Sequence, residues 1–317
     1  ADIPLLSRMD AVAETFIDEI ETLLNRDLPE EERIPLIEKF QKMYETMDFY
    51  VLYNRFLKKE GYQTLPRRPL EKRKLRYEDV YPVLYLKYRL SRQAERSNIK
   101  HLGIDEMQDY SRLQYLIIRR MFSCKMTILG DRAQTMADQQ QDVLQFLPGI
   151  FGKDLRRIEM RKSYRNTVEI ASYAANLIGV TDLELFERHG MPVLERDVTD
   201  LEAALREAVD TLFPDEKTYE TAAVIVPDEK TAERAYLILR EILAEKDFDC
   251  EKRLSWLNRD SSSFKKGLTV TTFYLAKGLE FDQVFSIFPK DEKREIMMQA
   301  QYIAATRALH ELRVYHI

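Results

Sequence analysis

From Tyr77 onward the chain alternates short apolar runs with longer amphipathic stretches, and this order restricts the fold more than any other feature of the sequence. The runs have strand length, and the stretches between them carry apolar residues at helical spacing. The apolar runs are Ile99–Ile104, Met126–Leu129, Ala222–Val226, Leu268–Phe273, Val284–Phe288 and Leu312–Tyr315. A strand followed by a helix, repeated, predicts an α/β fold in which mostly parallel sheets are covered by helices on both faces.

Composition excludes several classes of protein. The chain has 317 residues, of which 45% are apolar and 32% charged, so two soluble globular domains are expected. No apolar run approaches the roughly 18–20 residues that span a bilayer, and no secretory signal pattern opens the chain. Cys124 and Cys250 fit neither a metal site nor a disulfide framework, so a cytoplasmic protein is predicted. The net charge of −5 gives no overall attraction to nucleic acid, and such contacts must come from local basic patches.

The first 76 residues are predicted to be helical. The segment Phe49–Leu57 is dense in aromatic residues, which favours a helix buried in a core over a partner-binding surface. The stretch Leu65–Arg76 follows as a linker, and Asp79 is expected to cap the next helix. That linker is either a solvated loop or a contact for phosphate or an acidic partner. Its basic residues are Arg67, Arg68, Lys72, Arg73, Lys74 and Arg76.

Polar residues at the ends of the predicted strands are the first candidates for chemistry, since ligands of parallel sheets bind at the carboxyl ends of strands. Asp105 and Glu106 end the first run. One carboxylate there would hold Mg²⁺ and the other would polarise an attacking water, although two solvated acids explain the same pair. Gly130 and Gln134 follow the second run. They form either a simple turn or a site in which Gly130 permits a close backbone approach and the Gln134 amide senses a phosphate oxygen.

Three later segments carry similar alternatives. Ser163-Tyr164-Arg165 offers a guanidinium fork and an aromatic ring, or is an ordinary helix start with Ser163 as its cap. The segment from Thr271 to Asp282 is either a loop that contacts phosphate and sugar or a solvated connection. Arg307, near a helix end, is either an arginine finger or a surface residue.

Taken in order, the strings DEMQD, GDRAQ, SYRNT, TFYLAKGLEFD and YIAATRA resemble motifs II to VI of the UvrD/Rep-like superfamily 1 DNA helicases, over roughly residues 77–317. The run YEDVYPVLYLK, together with the aromatic helix before it, is similar to the HelD-type relatives that associate with RNA polymerase. The resemblance implies RecA-like sheets, ATP and Mg²⁺ as cofactors, and DNA, single-stranded or duplex, bound through its phosphate backbone. The HelD likeness adds the RNA polymerase core as a partner.

The resemblance also implies an organisation and a set of roles. Residues 1–76 would be a helical arm, 77–154 the C-terminal part of a first RecA-like domain with a partial sheet, and 155–317 a complete second domain. Among the catalytic residues, Asp105 would hold Mg²⁺, Glu106 would activate water, Gln134 would sense the γ-phosphate, Arg165 would contact it and Arg307 would be the finger. The cofactor-binding residues would be Tyr164 near the adenine, Lys277 and Gly278 in the motif V loop, and Glu280 near the ribose. The nucleic-acid contacts would be Thr272 and Tyr274.

The sequence departs from the family at three places. It contains no P-loop, which would read G-x-x-x-x-G-K-S/T. The nearest Gly-Lys pair, Gly152-Lys153, is followed by Asp154 instead of Ser or Thr and lies after motif III. The chain is therefore expected to be a C-terminal piece of a longer protein that hydrolyses no ATP by itself. No aromatic follows motif III before Phe146, and Tyr274 stands where the family usually carries His.

Three functions follow from these features. The last two departures favour a HelD-type ATPase that remodels complexes of RNA polymerase with nucleic acid. A conventional UvrD-like 3′–5′ DNA helicase in repair or recombination is the first alternative. A non-catalytic interaction fragment is the second.

Overall fold

The computed structural model describes residues 3–91, 98–131, 134, 142–160, 162–180, 184–213, 219–246, 248–261, 266–290 and 295–317. The chain divides into two compact units. The N-terminal unit comprises Ala1–Gly130 and Gln141–Leu155, and the C-terminal unit comprises Asp131–Gln140 and Arg156–Ile317. The predicted separation of a helical arm, residues 1–76, from a first RecA-like domain stays a prediction.

Helices dominate the N-terminal unit. They are α1 (Arg8–Leu24), α2 (Glu30–Gln41), α3 (Phe49–Lys59), α4 (Tyr77–Leu90), α5 (Arg112–Met121) and α6 (Val143–Phe151). Asp48 caps α3 by accepting hydrogen bonds from the Tyr50 and Val51 amides. Tyr50 and Tyr53 are buried on one face of α3, which confirms the predicted core helix.

Asp79 does not cap α4, so that prediction is wrong. Arg76 occupies the cap position, and Asp79 lies in the first turn of the helix. There the Asp79 carboxylate is 2% exposed, pairs with Arg76 Nε at 2.5 Å and accepts a hydrogen bond of 2.7 Å from the Tyr53 hydroxyl. A carboxylate this deep needs such partners, because an unpaired buried charge is costly. Asp79 therefore ties α4 to α3.

Two parallel strands, β1 (His101–Ile104) and β2 (Lys125–Ile128), form the sheet of the N-terminal unit within the part of the chain that the structure describes. The small core around them contains Ile104, Tyr115 and Leu147. This two-stranded arrangement agrees with the partial first sheet that the motif order predicts.

The C-terminal unit is built on six parallel strands in the order β5-β10-β9-β6-β8-β7. Their bounds are β5 (Leu194–Asp197), β6 (Thr221–Val226), β7 (Leu254–Trp256), β8 (Gly267–Thr272), β9 (Phe281–Phe288) and β10 (Ala308–His316). A separate parallel pair is formed by β3 (Lys162–Ser163) and β4 (Glu184–Leu185), and Tyr164 and Arg165 follow β3 directly.

Helices cover both faces of this sheet. They are α7 (Val168–Leu177), α8 (Leu201–Asp210), α9 (Glu229–Ala244), the short α10 (Cys250–Arg253) and α11 (Glu295–Ala305). Along β6, Val224 packs in one apolar cluster with residues of α8 and α9, whereas Ile225 packs in the other with residues of α7 and α11. A strand that buries successive side chains on opposite faces must be covered on both sides. The α/β class with RecA-like layering is thereby confirmed.

Ser163 lies in β3 and is not a helix cap, so that prediction is also wrong. Helix α7 begins at Val168, and Thr167 caps it by accepting a hydrogen bond from the Ile170 amide. Four residues therefore separate the strand from the helix, and Tyr164, Arg165 and Asn166 lie in this connection. Within the described ranges, no helix is both long and apolar enough to cross a membrane.

Candidate functional site

The turn after β1 holds the two acidic residues of the first motif. Asp105 is exposed, and its Oδ1 accepts a hydrogen bond of 2.8 Å from the Glu106 amide. Glu106 adopts the left-handed conformation with φ of 53°, and its Oε2 accepts a hydrogen bond of 2.6 Å from Gln108 Nε2. A non-glycine residue held in this region costs of order 1–3 kcal/mol and is often found at functional sites. The Glu106 backbone is therefore in an uncommon conformation, and the hydrogen bond from Gln108 orients its carboxylate.

Gly130 makes this turn possible. A Cβ atom at Gly130 would lie 2.5 Å from Gln108 Oε1 and 2.6 Å from the Met107 backbone nitrogen. The approach is close because the Leu129 amide donates to the Ile104 carbonyl and the Met107 amide donates to the Leu129 carbonyl, both at 2.8 Å. Gly130 therefore permits a close approach of the chain to the acidic turn, and its predicted approach to a phosphate stays a prediction.

The oxygen ligands at the Asp105 turn could supply part of a magnesium site. Magnesium is usually held by one or two carboxylates together with substrate phosphates and waters, and a single strand-end Asp fits that pattern. Among the residues that the structure describes, no three His, Cys, Asp or Glu side chains converge on a metal position. Any magnesium at Asp105 would therefore take its remaining ligands from waters or from the phosphates of a bound nucleotide.

In the C-terminal unit, Arg307 is a buried cation at the junction of α11 and β10. It is 2% exposed, and its Nε donates to the Ile303 carbonyl at 3.2 Å. Its Nη2 donates to Gln134 Oε1 at 3.2 Å and to Thr306 Oγ1 at 3.0 Å. Gln134, itself 8% exposed, is thus directly in contact with Arg307. Two residues predicted from separate motifs share one hydrogen bond.

Asp131 and Tyr302 complete this buried network. Gln134 Nε2 donates to Asp131 Oδ2 at 2.9 Å, and the Tyr302 hydroxyl donates to the same oxygen at 3.2 Å. Burial, together with the Asp131 carboxylate, raises the pKa of Tyr302, so its hydroxyl stays protonated and donates. Neither residue was singled out in the sequence, although Asp131 follows Gly130 and Tyr302 precedes Arg307 within the same motif.

Arg165 and Glu280 form an ion pair beside this network. Arg165 Nε lies 2.6 Å from Glu280 Oε1, and the two side chains are 48% and 42% exposed. The residues flanking Glu280 both contact Arg307, because Arg307 Nη1 donates to the Leu279 carbonyl at 3.4 Å and the Phe281 amide donates to the Arg307 carbonyl at 2.9 Å. Four predicted residues therefore form one cluster. They are Gln134, Arg165, Glu280 and Arg307.

Asn166 and Arg188 hold the Arg165 segment against β10. Asn166 Nδ2 donates to the Ala308 carbonyl at 2.6 Å, and Arg188 Nη2 donates to the Arg165 carbonyl at 2.8 Å and to the Leu309 carbonyl. The sequence analysis missed both residues. Asn166 adjoins a predicted site residue, which is a usable signal, but nothing in the sequence marks Arg188.

Tyr164 presents an aromatic surface next to Arg165. The Tyr164 ring is 59% exposed and lies 5.5 Å from the Phe186 ring, which is 46% exposed. Lys162 Nζ lies 5.4 Å from the centroid of the Tyr164 ring. An exposed aromatic ring next to an arginine is suited to a nucleotide, because the ring can stack on the base and the guanidinium can bind phosphate. Phe186 is a further residue that the sequence analysis missed.

Thr272 and Tyr274, the two residues predicted to contact nucleic acid, lie at the carboxyl edge of the six-stranded sheet. Thr272 ends β8, is fully buried, and its hydroxyl has no hydrogen-bond partner in the described part of the chain. Tyr274 follows it, and the Arg259 guanidinium lies 6.0 Å from the centroid of its ring. Arg259 Nε in turn pairs with Glu229 Oε1 at 2.9 Å. Arg259 follows β7, so these side chains meet at the carboxyl edge.

Glu280 and Arg307, in contrast, directly precede β9 and β10 and therefore lie at the amino edge. These two residues therefore lie at the edge opposite to the strand ends at which ligands of parallel sheets usually bind. The motif V loop joins the two edges. Lys277 is half-buried within it, and Gly278 has φ of +82°, a conformation that side-chain-bearing residues rarely adopt.

Comparison with known families and structures adds one match to a family. Residues 8–136, less than half of the chain, match the UvrD/REP helicase N-terminal domain. No curated protein matches the chain. Over those residues the chain is similar to the UvrD/REP helicases, which supports a helicase of the UvrD-like kind; a HelD-type likeness is not shown by this match.

Several solved helicase structures are also similar, although each has a TM-score below 0.5. The C-terminal domain of a possible DNA helicase from Lactobacillus plantarum WCFS1 is 23% identical, with a TM-score of 0.37, over 49% of this chain and 88% of that one. The PRRSV helicase is 16% identical, with a TM-score of 0.38, over 68% of this chain and 35% of that one. A complex of Arterivirus nonstructural protein 10 (helicase) with DNA is 12% identical, with a TM-score of 0.36, over 82% of this chain and 50% of that one. This chain thus spans half or less of the two viral helicases.

Proposed function

We propose that the chain is the C-terminal part of an ATP-dependent superfamily 1 helicase or translocase of the UvrD/Rep kind, acting on DNA in the cytoplasm. The observation that carries the proposal is the buried hydrogen bond between Arg307 and Gln134, with the Arg165–Glu280 pair beside it. The family match over residues 8–136 supports the same function.

In this proposal Arg307 is the arginine finger. Its guanidinium is fixed by the Gln134 side chain and by the Leu279 carbonyl, so little reorganisation is needed when charge develops on a transferring phosphoryl group. In this proposal Gln134 relays contact with the γ-phosphate to Arg307. A phosphate would compete with Glu280 for the more exposed Arg165.

Asp105 and Glu106 would supply the magnesium and water-activating carboxylates. ATP brings the phosphate oxygens that complete the magnesium shell, and the left-handed Glu106 directs its carboxylate from a fixed backbone. The phosphate cradle itself must come from a P-loop outside this sequence. The isolated chain is therefore expected to release no phosphate above background.

The test is DNA-stimulated ATP hydrolysis by the full-length protein. Arg307→Ala should lower kcat by about 10³-fold or more, the usual worth of an arginine finger, and Arg307→Lys should restore little of it. Arg206→Ala is the matched control, because Arg206 is half-exposed on α8 and pairs only with surface glutamates in the described residues. Undiminished ATPase activity in Arg307→Ala would contradict the proposal.

The finer proposal concerns the load of the motor. The HelD-like run after Tyr77, the missing aromatics after motif III and Tyr274 in place of His favour the remodelling of RNA polymerase complexes over duplex unwinding. Capture of the RNA polymerase core by the full-length protein, with little stimulation of ATPase by DNA, is the expected result. Strong stimulation by single-stranded DNA without capture would instead indicate a conventional UvrD-like helicase, and neither activity would indicate an interaction fragment.

A further inference from the structure

Residues 66–74 form a loop, called here the basic arch, whose two ends are fixed in the apolar core of the N-terminal unit. Leu65, just before the arch, is 4% exposed and packs with Tyr50 and Tyr53 of α3. Leu75, just after it, packs against the same cluster. Because the buried Leu65 and the half-buried Leu75 both pack on this cluster, each end of the arch is held against α3.

Polar contacts fix the backbone of the arch as well. The Tyr50 hydroxyl donates to the Pro66 carbonyl at 2.7 Å, and Asn54 bonds both backbone groups of Leu65, at 2.7 and 3.3 Å. Arg73 donates to the Arg68 carbonyl at 3.0 Å and pairs with Asp48 at 2.6 Å. These side-chain hydrogen bonds to the backbone of Leu65, Pro66 and Arg68 distinguish the arch from a simple solvated loop.

The remaining cations of the arch project into solvent. Arg67, Arg68, Lys72 and Lys74 are exposed, and none forms an ion pair within the described parts of the chain. Glu71 is the single acidic residue of the arch. In a chain with a net charge of −5, four neighbouring unpaired cations on a fixed loop create a local positive surface.

We propose that the basic arch binds the phosphate backbone of nucleic acid, which under the proposed function is DNA. Arginine forks match phosphate oxygens, and a loop fixed in advance loses little conformational entropy on binding. Tyr62 and Tyr77, which flank the arch in the sequence, are 65% and 79% exposed. The Tyr77 ring also makes a T-shaped contact with Tyr81. Two largely exposed aromatic rings beside the arch are suited to stacking on unpaired bases, a contact that an acidic polypeptide would not need, so these residues favour nucleic acid over an acidic protein.

The test uses this chain without nucleotide and measures fluorescence anisotropy of labelled single-stranded and duplex DNA over a range of salt concentrations. The variant combines Arg67→Gln, Arg68→Gln, Lys72→Gln and Lys74→Gln. Each lost phosphate contact should lower the salt-dependence slope by about 0.7 for single strands or about 0.9 for duplex. Because four contacts are removed, the affinity at about 50 mM salt should fall by about tenfold or more.

Two control variants separate the arch from charge alone. Substituting Lys39, Lys42, Lys100 and Lys125 by Gln removes four exposed positive charges from the same unit and should leave most of the binding. Exchanging Arg for Lys and Lys for Arg within the arch should also preserve it. Equal loss in the first control, or no DNA binding by the unaltered chain, would overturn the proposal.

Competition decides between the two kinds of partner. Unlabelled DNA should displace the labelled DNA far better than polyglutamate of equal charge. Equal displacement by polyglutamate would assign the arch to an acidic protein and overturn the nucleic-acid proposal. Because no step uses ATP, failure here leaves the Arg307→Ala result to judge the proposed function separately.

Discussion

Arg307 Nη2 donates a hydrogen bond of 3.2 Å to Gln134 Oε1, although the two residues are 173 positions apart in the chain. Both side chains are buried, so the Arg307 guanidinium must find its acceptors within the protein, and the Gln134 amide is one of them. Any change at Gln134 is therefore also a change at Arg307.

Gln134→Ala should impair both stability and activity. The substitution removes one of the two acceptors of Arg307 Nη2, the other being Thr306 Oγ1, and the loss of this hydrogen bond to a charged group should lower the free energy of unfolding by about 1.5–3 kcal/mol. In the full-length protein kcat for ATP should fall while KM changes little. Urea unfolding of this chain and steady-state ATPase of the full-length protein check the two effects. Gln145→Ala, at an exposed position of α6, is the control and should change neither.

Gly130→Ala should destabilise the N-terminal unit. The new methyl group would overlap Gln108 and the Met107 backbone, and such overpacking typically costs about 1–3 kcal/mol. Gly149→Ala is the matched control, since nothing lies within 4 Å of a Cβ at that helical position, and it should stabilise by about 0.5–1 kcal/mol. Thermal unfolding of both variants measures the contrast. Equal melting temperatures would show that the turn at Gly130 relaxes without cost.

Glu169 makes the C-terminal unit sensitive to acid. A hydrogen bond from His189, followed by backbone hydrogen bonds that include the Gly190 amide, lowers the pKa of the Glu169 carboxyl from 4.5 to about 2. A carboxyl whose pKa is lower in the folded state contributes its full stabilisation above pH 4.5 and loses it as the pH falls toward 2.

The difference in unfolding free energy between the unaltered chain and Glu169→Gln should therefore shrink between pH 4.5 and pH 2. Urea unfolding at several pH values in this window measures it. A difference that stays constant over the window would show that the carboxylate is not stabilised by these hydrogen bonds. Glu251→Gln, at an exposed position of α10, serves as the control.

Tyr274→Leu should weaken binding of single-stranded DNA, because base stacking on an aromatic ring is worth about 1–3 kcal/mol per base. Tyr219→Leu is the matched control. Both tyrosines are half-buried, but Tyr219 precedes β6 at the amino edge of the sheet and stacks on His310. Anisotropy titrations with a short oligonucleotide compare the two variants. Similar losses of affinity in both would remove the carboxyl edge from the nucleic-acid surface.

The parallel, helix-covered sheet could be predicted from the sequence, because strand and helix periodicities are visible within short segments. The runs at β6 and β9 are short, largely apolar and followed by the helices α9 and α11, and β8 is rich in β-branched residues, so these strands can be recognised without tertiary information. Caps were harder to predict. Asp79 and Ser163 have the right side chains for a cap, but the partners Arg76 and Tyr53 and the pairing of β3 with β4 determine where they lie.

The contacts within the site could not be predicted in the same way. Residue type indicated that Arg165, Glu280 and Arg307 are suited to phosphate chemistry, but only the fold shows that Glu280 lies between two residues bonded to Arg307. Arg188 bonds two carbonyls from distant segments, and no local pattern encodes such a contact. The assigned roles themselves stay predictions until the variants are measured.

The motif V loop leaves little free length between the two edges of the sheet. Strand β8 has six residues, which span about 20 Å at about 3.3 Å per residue, and the chain must return over this height between Thr272 and Phe281. Several of the intervening residues are used in turns, including the left-handed Gly278. The connection therefore has little spare length. We expect a displacement of Glu280 at the amino edge to be passed along this short loop to Tyr274 at the carboxyl edge.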